Sequence, residues 1–129
     1  MIAVDTSSWI AYLGGDDAPD VKLVDRALDE RQVCLPPVVL TELLSDPKLP
    51  KRAQSLFLEV PLLGLSDAYW ERAGALRAKL ISKRRKAPLS DVLIAQSCID
   101  HGVALVTRDS DFRGLAQVSA LRVLGQMRR

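Results

Sequence analysis

Short apolar segments alternate with longer amphipathic segments along the whole chain. The segment 103–107, VALVT, is an unbroken run of β-forming residues, which is typical of a strand in the middle of a parallel sheet. Further strands are predicted at 2–4, 32–35 and 120–124. Because strands that alternate with helices usually form parallel sheets covered by helices, the pattern predicts an α/β sandwich around a central, mostly parallel sheet.

Capping residues and apolar periodicity predict the helices between these strands. Ser7 or Ser8 is expected to cap a first helix, Ser66 to cap the longest one, and Ser90 to cap the next. A His101–Gly102 pair is a natural end for that last helix, since glycine tolerates the left-handed backbone of a C-cap. The remaining helices are predicted from residue 20, at 36–44 and at 51–58.

Length and residue counts restrict the function. A chain of 129 residues fits one domain, spanning 1–129. The two cysteines, Cys34 and Cys98, are far apart in sequence, which argues against a disulfide framework and favours a place in the core. With a single histidine beside them, the chain also lacks the usual ligands of a zinc centre. The chain contains no apolar run near the roughly 20 residues that span a bilayer, and no signal peptide. We therefore expect a soluble cytoplasmic protein without a membrane partner.

Acidic residues stand at the predicted ends of strands and in two helices. Asp5 and Asp109 follow strands, and the carboxyl ends of parallel strands are where ligands bind in open α/β sheets. Asp91 lies in the first turn of its helix, where the helix dipole favours an ionised carboxylate. Glu42 lies in a mostly apolar helix. Each acid alone could be a turn, capping or surface residue, but clustered carboxylates repel one another and are usually reconciled by Mg²⁺ or Mn²⁺.

A basic run, Lys83, Arg84, Arg85 and Lys86, precedes Asp91. The net charge is only +2, so the distribution of charge is more informative than its total. Such a run is either a solvated helix end, where cations complement the dipole, or a patch that contacts phosphates.

Four segments together resemble the motifs of PIN domains, and their order and spacing resemble the VapC-type toxins of toxin–antitoxin pairs. The resemblance spans essentially the whole chain and implies an α/β/α sandwich and a Mg²⁺-dependent endoribonuclease. The segments are DTSSWI at 5–10, PPVVLTEL at 36–43, SDVLIA at 90–95 and TRDSDF at 107–112.

The resemblance also implies roles for individual residues. Asp5 and Asp91 match the principal metal ligands, and Glu42 and Asp109 match the other acids of the catalytic pocket. Ser7 matches a supporting polar residue. Asp111 is a second acid in the last motif; Asp109 is preferred as the one that reaches the metal, with Asp111 turned toward solvent or capping a helix. The basic run 83–86 is expected to help hold the RNA backbone.

The implied partners are RNA, a VapB-like antitoxin and a second copy of the chain in a homodimer. The antitoxin is expected to wrap the toxin with a flexible tail and to insert an Arg or Lys among the acids. Two alternatives stay open: a PIN-like RNA-processing domain and a catalytically silent RNA-binding domain. A phospho-accepting receiver domain is disfavoured, since such a domain requires a second acid beside Asp5, where Thr6 and Ser7 stand.

Overall fold

In the computed structural model, which describes residues 1–125, a parallel sheet of four strands lies at the centre. The strands are β1 (Ile2–Val4), β2 (Val33–Cys34), β3 (Ala104–Val106) and β4 (Val123–Leu124), in the order β2–β1–β3–β4. Ala3 pairs with Cys34 on one side and with Leu105 on the other. The predicted mostly parallel α/β architecture is confirmed, although three of the predicted strands are longer than the observed ones.

Seven helices flank the sheet within the described part of the chain. None of them is long and apolar enough to cross a membrane. They are α1 (Thr6–Leu13), α2 (Pro19–Asp29), α3 (Pro37–Leu44), α4 (Lys51–Glu59), α5 (Tyr69–Ser82), α6 (Leu89–His101) and α7 (Phe112–Val118).

The expected serine cap of α1 is wrong. The helix begins at Thr6, after Asp5 in an extended conformation, so Ser7 and Ser8 both lie inside its first turn. Their hydroxyl groups donate to carboxylates instead, Ser7 to Asp5 at 2.8 Å and Ser8 to Asp20 at 2.7 Å. These bonds tie the start of α1 to acidic groups.

The expected caps of α5 and α6 are also wrong. Ala68, with a positive φ of 59°, precedes α5, and the Ser66 hydroxyl donates to Asp100 at 3.0 Å. Ser90 lies inside the first turn of α6, which begins at Leu89. The other end of α6 is as predicted, because Gly102 adopts a φ of 63° there.

Large apolar side chains fill the space between sheet and helices. Trp9 and Phe57 are almost fully buried and meet edge to face, with ring centroids 5.1 Å apart. Cys34 and Cys98 are free and buried, as predicted for core residues. The carboxyl ends of β1 and β3 lie side by side, and there the Asp5 N–H donates to the Val106 carbonyl at 2.8 Å.

Candidate active site

Asp5 occupies the first position after β1 and is only 5% exposed. One of its carboxylate oxygens, Oδ2, accepts hydrogen bonds from the Ser7 hydroxyl at 2.8 Å and from the Thr107 hydroxyl at 2.9 Å. Burial raises the pKa of Asp5, because desolvation outweighs these hydrogen bonds. A cation bound nearby would oppose this rise in pKa and favour the ionised carboxylate.

Thr107 is a site residue that sequence reasoning did not single out. It is fully buried; its hydroxyl donates to Asp5 and accepts a hydrogen bond from the Asp109 N–H at 3.0 Å. Thr107 thus connects an acid that follows β1 with one that follows β3. The signal in the sequence was a hydroxyl residue at the end of an apolar strand, directly before an aspartate.

Three further aspartates form a compact group at the same edge of the sheet. Asp91, Asp109 and Asp111 each offer a carboxylate oxygen, and these atoms lie within 4.8 Å of one another. Asp91 comes from the first turn of α6, and the other two come from the loop between β3 and α7. The Asp109 carboxylate accepts the Asp111 N–H at 2.9 Å, which holds this loop in a tight turn.

Burial and neighbouring negative charges act together on Asp91. The pKa of Asp91 is raised to about 7, chiefly by burial and then by the charges of Asp109, Asp5, Asp111 and Glu42. In the metal-free protein, burial and repulsion therefore outweigh the helix dipole, which was expected to favour the ionised form of Asp91. The acids predicted from sequence are thus close enough to Asp91 to raise its pKa.

Asp111 is not turned toward solvent. Its carboxylate is half-buried and belongs to the compact group together with that of Asp109, so the geometry does not favour one of the two acids over the other. Asp111 does stand directly before α7, but its side chain makes no capping hydrogen bond.

Glu42 lies at the exposed rim rather than inside the compact group. Its carboxylate accepts a hydrogen bond from the Thr6 hydroxyl at 2.6 Å, so α3 is joined to the start of α1. Beside it runs a groove of about 310 Å³ between α1 and the segment 42–50. Apolar side chains line much of this groove, among them Ile10, Leu13, Leu43 and Leu49.

The structure separates the members of the basic run. The Lys86 ammonium lies 3.8 Å from the Asp111 carboxylate, so it borders the acidic group. Arg85 instead crosses to α7 and donates to the Gln117 side chain at 2.6 Å. Lys83 and Arg84 are exposed at the end of α5, and Arg84 has a positive φ of 56°.

The donor set fits a hard divalent cation. The compact group contains only carboxylates, with no sulfur or imidazole donor, and oxygen donors suit Mg²⁺ and Mn²⁺ better than zinc. The raised pKa of Asp91 fits as well, since a bound cation would offset the repulsion that raises it.

The sequence is similar to a known family model and to known proteins over most of its length. The family model for the PIN domain matches residues 2–118. Ribonuclease VapC11 of Mycobacterium tuberculosis (strain H37Rv) is 30% identical, in an alignment that covers 95% of this chain and 96% of the relative. VapC ribonuclease Mb1587 of Mycobacterium bovis matches with the same identity and coverage.

Solved structures show the same fold. VapBC2 from Rickettsia felis, bound to a promoter DNA fragment, superimposes with a TM-score of 0.73 at 23% identity, covering 96% of this chain and 98% of that one. VapBC-1 from nontypeable Haemophilus influenzae superimposes with a TM-score of 0.75 at 16% identity, covering 96% and 97%.

Proposed function

The chain belongs to the PIN-domain family, and from this premise we propose that it is a metal-dependent endoribonuclease, the toxin of a type II toxin–antitoxin pair. The observation that carries the proposal is that the Asp91, Asp109 and Asp111 carboxylates lie within 4.8 Å of one another, at the edge of the sheet where Asp5 follows β1. The relationship to VapC ribonucleases over nearly the whole chain supports the same reading.

The proposed ion is Mg²⁺, with Mn²⁺ as an alternative, and its proposed ligands are Asp5 and Asp91 with Asp109 or Asp111 beside them. When bound, the ion would activate a water for attack on a phosphodiester and neutralise charge that develops on the phosphate. Ser7 and Thr107 hold Asp5 in place through its Oδ2. Asp91 must give up its proton to act as a ligand, since a carboxylate binds a cation in its ionised form.

RNA is the proposed substrate, and Lys86 is the member of the basic run best placed to contact it. Its ammonium lies 3.8 Å from Asp111 and its side chain is 80% exposed, so a phosphate that approaches the acids can reach it. Lys83 and Arg84 extend the positive surface further from the acids. Arg85 is expected to contribute less to RNA binding, because its guanidinium already donates a hydrogen bond to the Gln117 side chain.

Cleavage of labelled RNA tests the proposal. The protein should cut RNA in Mg²⁺ or Mn²⁺ and stop in excess EDTA, and Asp5→Asn and Asp91→Asn should each lower the rate about 100-fold or more. An exposed aspartate outside the site, Asp29, provides the control variant Asp29→Asn, which should cleave normally. Undiminished cleavage in EDTA would refute the metal requirement, and RNA binding without cleavage would favour the silent RNA-binding alternative.

A VapB-like antitoxin is the proposed partner. Relatives of this fold were solved as VapBC assemblies, and the apolar groove of this chain exposes 60% of Ile10 and 40% of Leu13. Apolar residues of an antitoxin tail would pack in this groove, and an Arg or Lys of the tail would enter among the acids near Glu42.

The proposed partnership is tested by measuring how tightly a VapB-like protein encoded beside this chain binds to it. Ile10→Asp should weaken the complex about tenfold or more, because it places a charge where apolar side chains pack. Ile81→Asp is the matched control, since Ile81 is 55% exposed on α5 and does not line the groove. The partner role would be wrong if the purified pair cleaved RNA as fast as the toxin alone.

We also propose a cytoplasmic homodimer. The cytoplasm holds the RNA substrate, and the two free cysteines suit its reducing conditions. Trp70 is 61% exposed on α5 and would be buried by a second copy, whereas Trp9, Phe57 and Tyr69 already lie in the core. Light scattering that finds only the mass of one chain would rule the dimer out.

A further inference from the structure

Arg108 stands between Thr107 and Asp109 in sequence, and its side chain pairs with acids outside the compact group. Its guanidinium makes a two-pronged ion pair with Asp20 at the start of α2, with Nε 2.9 Å from Oδ2 and Nη2 3.0 Å from Oδ1. The Ser8 hydroxyl donates to the same Oδ2 at 2.7 Å, and Asp16 lies 2.9 Å from Nη2. The loop that carries Asp109 is thus attached to both α1 and α2.

The carboxylate of this ion pair is buried, whereas the Arg108 side chain is 33% exposed. Asp20 is 1% exposed, although it carries a charge. Gly125 covers it, with a φ of 81°, and a Cβ at that position would lie 3.0 Å from the Asp20 Cβ. A forked Arg–carboxylate pair restrains both the distance and the orientation of its partners, and the burial of Asp20 keeps water from its carboxylate.

We propose that Arg108 and Asp20 position the metal-binding acids, an inference that rests on the proposed nuclease function. Asp91 is carried by α6, whereas Asp109 and Asp111 are carried by the loop after β3, so their separation depends on how that loop is held. Thr107 fixes the loop to Asp5 on one side, and Arg108 fixes it to Asp20 on the other. Without the two-pronged Arg108–Asp20 ion pair, the loop that carries Asp109 and Asp111 is less firmly fixed, and the site binds a metal ion more weakly.

A second ion pair offers a matched control. Arg72 on α5 contacts Asp100 near the end of α6 at 2.5 Å, and Asp100 also accepts hydrogen bonds from Ser66 and Gln96. This pair resembles Arg108–Asp20 in chemistry, but it lies at the opposite end of α6 from Asp91. An effect on metal binding that arose from general loss of stability would therefore appear in both pairs.

The test is Mn²⁺ binding to the metal-free protein, measured by calorimetry. Asp20→Asn and Arg108→Lys should each weaken Mn²⁺ binding about tenfold or more, as losses around metal ligands generally do. Arg108→Lys keeps the charge and removes the fork, so it tests geometry and is expected to fold even if Asp20→Asn does not. Arg72→Lys and Asp100→Asn should stay within about twofold of the unmodified protein, while lowering the unfolding midpoint in urea.

The outcomes separate the two proposals. Unchanged Mn²⁺ affinity in Arg108→Lys, or an equal loss in the Arg72 and Asp100 variants, would overturn the positioning role and leave the nuclease proposal intact. Failure of the unmodified protein to bind Mn²⁺ would refute the metal-dependent nuclease itself. RNA cleavage at saturating Mn²⁺ gives a second readout, in which Arg108→Lys should recover much of its rate as the metal is restored.

Discussion

Replacing Asp91 with Asn is expected to remove a pH-dependent loss of stability from the metal-free protein. The folded protein raises the pKa of Asp91 from 3.8 to about 7, so between these values the folded chain holds a proton that the unfolded chain has released. Stability falls with rising pH wherever the folded state binds more protons. The loss should therefore begin above about pH 4 and be complete above about pH 7.

The size of the loss follows from the same two values. At about 1.36 kcal/mol for each pH unit, the interval from 3.8 to about 7 corresponds to about 4 kcal/mol. Asp91 is half-buried, and water screens part of the repulsion, so about 2 to 3 kcal/mol is expected. Asn has a similar shape and no charge, so it removes the repulsion between the Asp91 carboxylate and those of Asp109 and Asp111.

Urea unfolding followed by tryptophan fluorescence measures the effect. In EDTA, the free energy of unfolding of the unmodified protein should fall by about 2 to 3 kcal/mol more than that of Asp91→Asn between about pH 4 and pH 8. Saturating Mn²⁺ should reverse the trend in the unmodified protein, because the ion binds the ionised carboxylate.

The control is Asp29→Asn, which changes an exposed aspartate and should follow the curve of the unmodified protein. Parallel curves for the unmodified protein and Asp91→Asn in EDTA would refute the reasoning. They would mean that the pKa of Asp91 stays near its ordinary value in the folded protein, and that burial and neighbouring acids do not govern its charge.

Two further changes test other parts of the structure. Gly125→Ala should lower the free energy of unfolding by about 1 to 3 kcal/mol in urea titrations, because its positive φ and the 3.0 Å approach to Asp20 leave no room for a Cβ; an unchanged midpoint would contradict this. Lys86→Ala should raise KM for RNA severalfold with kcat nearly unchanged, and it should lower the slope of binding against salt by about 1. A fall in kcat alone would show that Lys86 acts in some other way.

Local patterns were sufficient for the architecture and for the approximate place of the acids. The apolar run at 103–107 predicted β3 because an uninterrupted β-forming segment is stable only where both faces are covered. Asp5 and Asp109 could be placed at one edge because the carboxyl ends of parallel strands meet there. These inferences depend on residues that are close in sequence, and such patterns are the ones that a single sequence displays.

Contacts between distant residues were decided only by the tertiary structure. Ser8 looks like a helix cap, but the folded chain brings its hydroxyl to Asp20, 12 positions away. Thr107 reaches Asp5 across 102 positions because β3 lies beside β1, and Arg108 reaches Asp20 across 88 because α2 packs against β3. The order of strands in a sheet is set by the packing of the whole chain, which no local pattern encodes. The charge state of Asp91 has the same origin, since it depends on burial and on acids that other elements carry to it.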